Sequence, residues 1–233
     1  MIKTKTAALR IFGIFIMSIV TQSCRSQNFD LSSIVLPVME SSITSKFKLE
    51  DQKFQTAGLN EFISLEKDIL YFEGISLYGS IDNSPNTSYL ANNVKFYIDK
   101  NTNQVEAYRL ETKTTQETNK LEKALDTKFG KTFYYYKDSE MNFRIWEQKG
   151  NTYFLEVNST SVLNGEASVT GDLCVVNNSS KAFYNYYMAG GFGYYKDYLR
   201  AKNRSPKKAY TYNDFLTERE AEGQNYYLKK LVR

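Results

Sequence analysis

Val94-Lys-Phe-Tyr-Ile-Asp99, Lys100-Asn-Thr-Asn103, Val105-Glu-Ala-Tyr-Arg-Leu-Glu111 and the run from Thr114 to Gly130 decide the fold. Val94, Phe96 and Ile98 alternate with Lys95, Tyr97 and Asp99, the period of a strand with one buried face. Lys100 to Asn103 supplies turn chemistry and the alternation then resumes, so this stretch predicts a β-hairpin. Thr114 with Glu117 three residues on has the form of a capping box. Leu121, Ala124, Leu125 and Phe129 follow at helical spacing, and Gly130 is placed to end the helix in a left-handed conformation.

Strands resume at Lys131 to Tyr136, at Phe143 to Glu147 and, after Lys149-Gly-Asn151, at Thr152 to Val157. Residues 93 to 158 therefore read as ββαβββ, an α+β arrangement in which a capped amphipathic helix packs on one face of an antiparallel sheet. Asn164-Gly165 is the strongest two-residue hairpin signal in the chain and extends the same sheet. Upstream, residues 47 to 81 carry apolar positions without a clean period. They read as short strands and loops, with a helical turn near Leu59 to Lys67. Ile81 to Ser88 is a loop by composition. Downstream, residues 181 to 199 are rich in Tyr and Phe around Ala189-Gly-Gly-Phe-Gly193. Asn213 to Glu222 is helix-friendly, and Leu228 to Arg233 closes the chain. Residues 181 to 233 thus read as a Tyr-rich helical region, either packed on the body or forming an appended lobe.

The N-terminus carries an address. Lys3, Lys5 and Arg10 precede the apolar run Ile11 to Val20, and Thr21-Gln-Ser23 precedes Cys24. This is the order of a secretory signal, and ten apolar residues are half of the roughly 20 that a permanent membrane span needs. Residues 1 to 24 resemble the signal of bacterial lipoproteins, with Ser23 as the small residue before the cysteine and a loose box of the kind found in the Bacteroidota group. The resemblance implies cleavage after residue 23, diacylation of Cys24, and residues 24 to 45 as a lipid-anchored tether ahead of a single domain over 46 to 233. Several acyl chains, at about 0.8 kcal/mol per buried CH₂, hold a domain to a membrane durably. Arg25 to Asp30 lacks the acidic run of surface-displayed relatives of that group. The implied place is the outer membrane, facing the periplasm.

Composition narrows the chemistry. The chain carries a net charge of +4, with 30 basic and 26 acidic residues, but three of the basic residues and none of the acidic ones lie in the signal. The remainder is nearly neutral, which argues against a nucleic-acid partner. There is no histidine, so Ser-His-Asp and Cys-His catalysis are excluded, together with zinc sites built from His and Cys. Of two cysteines, Cys174 sits in an apolar run and reads as a small buried hydrophobe. No cofactor or metal motif is found. Phe129-Gly-Lys-Thr132 lacks the upstream glycine of a phosphate loop, Leu125 standing in its place. The glycines of Ala189 to Gly193 do not match a dinucleotide fingerprint.

Three readings of function follow. The first is a non-catalytic envelope lipoprotein that binds a protein or glycan through an aromatic surface, motivated by the anchor, the missing catalytic signatures and the 19 Tyr, 15 Phe and one Trp, residues that also favour strands and half-buried surfaces. Its candidate contacts are Tyr134, Tyr136, Trp146, Tyr187, Tyr194 and Tyr195. The second is a glycan-acting enzyme using two carboxylates drawn from Glu147, Glu156, Glu166 and Asp172. The third is a toxin-neutralising lipoprotein of the immunity type. Finally, residues 196 to 233 hold an excess of five positive charges, which suits either solubility or anionic headgroups near an anchor.

Overall fold

The computed structural model describes residues 29–82, 87, 89–132, 134–137, 139–188 and 192–224. The signal, Cys24, Ala189 to Gly191 and Leu228 to Arg233 lie outside the described residues. The elements are β1 (Val38–Met39), α1 (Ser41–Thr44), β2 (Glu50–Thr56), β3 (Leu59–Ser64), β4 (Tyr71–Phe72), β5 (Ile75–Ser76), β6 (Asn93–Asp99) and β7 (Gln104–Thr112). They continue as α2 (Thr115–Phe129), β8 (Tyr134–Lys137), β9 (Met141–Glu147), β10 (Asn151–Leu163), β11 (Glu166–Asn177), α3 (Lys181–Tyr187), α4 (Gly193–Arg204) and α5 (Tyr212–Ala221).

Eight strands form an antiparallel sheet in the order β2-β3-β6-β7-β11-β10-β9-β8, and β1 adds to β7 beside Val105 and Gln104. Two meanders thus meet at the seam between β7 and β11, and α2 is the crossover that joins them. The expected hairpin of β6 and β7 is present, with Val94 opposite Leu110 and Phe96 opposite Tyr108. Asn164 and Gly165 turn β10 into β11 with φ of 50° and 81°, the positive values a two-residue hairpin turn requires.

Both faces of the sheet are covered, not one. On the first, Leu121, Ala124 and Leu125 of α2 pack on Phe96, Leu110, Leu155, Leu173 and Val175. Residues 29–45 join this layer instead of forming a tether: Leu31 is 0 % exposed and Ile43 1 %. Asp30 anchors them by accepting from the backbone N–H groups of Ser32 at 2.8 Å and Gly74 at 2.6 Å. On the second face, α3, α4 and α5 lay their aromatic side chains on Tyr97, Phe154, Cys174 and Val176. The Tyr-rich segment is therefore a layer of the body. A buried ring of this size contributes roughly 1.5–3 kcal/mol, so an appendage would forgo most of what orders it.

Three local expectations change. Leu59–Ser64 is a strand, and its 3₁₀ turn comes later, at Lys67–Ile69. Thr114 makes no side-chain cap hydrogen bond to the backbone of α2; its hydroxyl donates to the Glu117 carboxylate and accepts from Asn92 Nδ2. A complete capping box occurs instead at α5, where Thr211 and Asp214 exchange both bonds. Gly130 ends α2 with φ 70° and ψ −158°, an extended conformation of positive φ open to glycine, not the left-handed helical one.

Candidate functional site

The aromatic candidates are core, with few exceptions. Tyr134 and Tyr195 are 0 % exposed, Trp146 3 % and Tyr136 6 %. Tyr134 packs edge-on against Tyr195 and Tyr212 at 5.4 and 5.2 Å between ring centroids, and Tyr136 lies 5.3 Å from Tyr194. Trp146 is on the opposite face, under α2, and its Nε1 donates to the Gly130 carbonyl at 3.0 Å. Rings held this way fill the interior and cannot grip a partner, which corrects their assignment to a binding surface. Tyr194 is half-buried in the same layer. Tyr187, also half-buried, is the exception in kind: its hydroxyl donates to Asp172 Oδ1 at 3.1 Å, at the edge of a charged region.

That region lies on the second face of the sheet, at the edge of α3, and it is assembled by register. Lys95 stands opposite Arg109, Asn93 opposite Glu111, Glu111 opposite Asp172, and Asp172 opposite Glu156. Paired residues share a face, so Glu111, Asp172 and Glu156 of β7, β11 and β10 form one row, Lys95 and Arg109 of β6 and β7 stand on the next rung of that face, and Glu61 of β3 joins through Lys95. Lys95 Nζ lies 3.3 Å from Glu61 and 3.4 Å from Glu111, and Lys113 Nζ lies 2.9 Å from Glu111. Arg109 Nε donates to Asp172 Oδ2 at 2.6 Å, and its Nη2 contacts the same oxygen. Arg109 also lies 3.4 Å from Glu111.

The electrostatics divide these carboxyls. Burial alone would raise the pKa of Glu111, but Lys113, Arg109 and Lys95 together outweigh it and pull the group down to about 2. Glu156 goes the other way. Burial pushes it up, the neighbouring Asp172 charge adds to the rise, and Arg109 offsets only part. Glu156 has no ion-pair partner among the described residues. Asp172 accepts from Arg109 and Tyr187. An acceptor held by Arg109 and Tyr187 thus stands beside a carboxyl inclined to keep its proton.

Of the four acids singled out in sequence, the structure brings Glu156 and Asp172 together. Glu147 accepts from the Tyr195 hydroxyl beneath α4, and Glu166 is exposed beside the hairpin turn. Lys95, Arg109, Glu111, Lys113 and Glu61 carry no motif. Polar positions of alternating strands read as a solvated face, and nothing local marks them as an interlocked row. Among the described residues no group of three or more His, Cys, Asp or Glu could hold a metal ion, and no helix is long and apolar enough to cross a membrane. Comparison with protein-family models, with curated proteins and with solved structures finds no match to this chain.

Proposed function

We propose that this chain is a non-catalytic lipoprotein of the cell envelope, anchored through Cys24 in the outer membrane and facing the periplasm, which binds a protein partner through the charged row of its sheet. The observation that carries the reading is the group of charges itself: Lys95, Arg109, Glu111, Asp172 and Glu156, brought together by register at the edge of α3. Arg109 keeps 34 % of its side-chain surface accessible and Lys95 22 %. Tyr186 of α3, 58 % exposed, is an aromatic side chain of the kind that interfaces favour. A fixed pattern of both signs selects a partner by complementarity more than by bulk affinity. The signal at residues 1 to 24 supports the anchor.

The test is to express the native chain, Cys24→Ala and Glu156→Lys in the source bacterium, crosslink, and identify partners in membrane and soluble fractions. The native chain is expected in the membrane with one stoichiometric partner. Cys24→Ala should move to the soluble fraction, and Glu156→Lys should stay in the membrane but lose the partner. Native and Cys24→Ala chains that fractionate alike would remove the anchor, and a partner retained by Glu156→Lys would remove the row as its site.

One observation favours a second reading, an enzyme acting on glycans. Glu156 and Asp172 are cross-strand neighbours, whose Cβ atoms lie about 4.5–5.5 Å apart in such pairs. This leaves the carboxyls near the shorter of the two spacings that glycoside hydrolysis uses, with Glu156 inclined to be the acid and Asp172 the base or nucleophile. Turnover of a cell-wall oligosaccharide that Glu156→Gln and Asp172→Asn both abolish would favour this reading over binding.

A further inference from the structure

Helices α4 and α5 enclose a groove of about 530 Å³, remote from the charged row and lined by Asp197, Arg200, Arg204, Phe215, Glu218 and Arg219 among others. Its size falls within the range of small-molecule sites. Arg200 and Arg204 are four residues apart on α4 and therefore share a face, while Arg219 faces them from α5. Arg219 is fixed in place. Its guanidinium lies over the Phe215 ring at 5.6 Å from the centroid, and its Nη2 donates to Glu222 at 2.6 Å.

Two carboxylates line the groove beside these charges. Asp197 pairs with Arg200 at 3.5 Å. Glu218 accepts the Tyr210 hydroxyl, so its oxygen is turned to a phenol. Arg204 has no ion pair among the described residues. Three guanidiniums thus line one concavity, and that of Arg204 brings a charge that no acid among the described residues pairs. Each presents planar N–H donors spaced to bind oxyanions two at a time, and a phosphate group has oxygens enough for three of them.

We propose that the groove between α4 and α5 binds a phosphate-bearing ligand, with Arg200, Arg204 and Arg219 as its donors. A soluble ion and a lipid headgroup are the two sources of that phosphate, because both offer the same oxyanion. The inference stands apart from the charged row and from the anchor.

The experiment uses the full Cys24→Ala chain, which carries no acyl group, together with Arg200→Gln/Arg204→Gln and a Lys196→Gln/Lys208→Gln control on the same segment. Each is titrated with inorganic phosphate and pyrophosphate by calorimetry. Each is also sedimented with vesicles of phosphatidylcholine alone and of equal parts phosphatidylcholine and phosphatidylglycerol. The arginine variant is expected to bind at least about tenfold more weakly at an unchanged melting temperature, and the lysine control to bind as the parent does. Saturation by the soluble anions would assign a free phosphate, whereas preference for the anionic vesicles without it would assign a headgroup. Arg219→Lys, which keeps the charge but loses the fork, should weaken whichever form binds. The proposal is overturned if the parent chain shows neither saturation nor a vesicle preference, or if the lysine control loses as much as the arginine variant.

Discussion

Glu156 and Asp172 stand directly opposite each other on β10 and β11, and Asp172 alone of the two accepts from an arginine. Arg109 and the Tyr187 hydroxyl hold the aspartate, while burial and the aspartate's charge act against ionisation of the glutamate. The pair is therefore asymmetric in its partners, although the two groups are neighbours on the same face.

The asymmetry sets a pH dependence with a definite sign. Glu156 has a higher pKa folded than unfolded, so its contribution to stability is fully present below the ordinary value of 4.5 and is lost as the pH rises through the raised folded value. Glu156→Gln should raise the melting temperature at pH 7 and match the native chain in strong acid. Thermal melts at several pH values check this, and a variant less stable at pH 7 would show that the carboxylate has a partner there.

Glu111 should behave in the opposite way. Its pKa is depressed to about 2, so its stabilisation is complete above 4.5 and is lost as the pH falls toward about 2. Its side chain is 10 % exposed, so solvent screens the three cations around it little. Glu111→Gln is expected to cost about 3 kcal/mol at neutral pH, since each pKa unit corresponds to about 1.4 kcal/mol. The difference should vanish near pH 2. Denaturant unfolding of both chains across that range measures it.

Counting back from the turn at Asn164 and Gly165, an unbroken ladder would set Glu156 opposite Leu173 and place Asp172 on the other face. The irregularity between Asn158 and Ser161 shifts the register by one residue and reverses that parity. The residues of the pair were legible as acids on strands, but their meeting was not, because a bulge leaves no mark in the alternation. The hairpin of β6 and β7 and the position of α2 were legible, since each buries one face and keeps its period. β2 was not, because it is an exposed edge strand whose pairing slips between Asp51 and Gln55. Leu31, Ile34, Leu36 and Ile43 were missed for a related reason: they are buried by a path of turns, which has no period. The tyrosines misled because a ring packed between sheet and helices has the same composition as a ring offered to a partner.

Gly171 lies where β11 passes beneath the first turn of α2. A Cβ there would meet Thr112 Oγ1 at 2.7 Å and Thr118 Cγ2 at 3.0 Å, and those two hydroxyls are bonded to each other at 2.8 Å. Gly171→Ala must push the helix from the sheet or break that bond, and should cost about 1–3 kcal/mol. Adding Thr112→Ala removes the nearest atom, so the double variant should be more stable than the sum of the two single changes predicts. Strict additivity in denaturant unfolding would count against the close approach.

Tyr134 separates a core role from a binding role most cleanly. Its ring is fully buried between Tyr195 and Tyr212, and its hydroxyl has no hydrogen-bond partner among the described residues. A buried phenol without a partner leaves its desolvation uncompensated, at about 1–3 kcal/mol, whereas the ring itself is well packed. Tyr134→Phe should therefore hold or raise stability, by up to about 1 kcal/mol, or roughly 2–4 °C in melting temperature for a chain of this size. Tyr134→Ala should lose about 3–5 kcal/mol through the cavity it leaves. If Phe instead lowers stability, the hydroxyl has a partner, and if Ala leaves stability unchanged while abolishing capture of a crosslinked partner, the ring belongs to an interface after all.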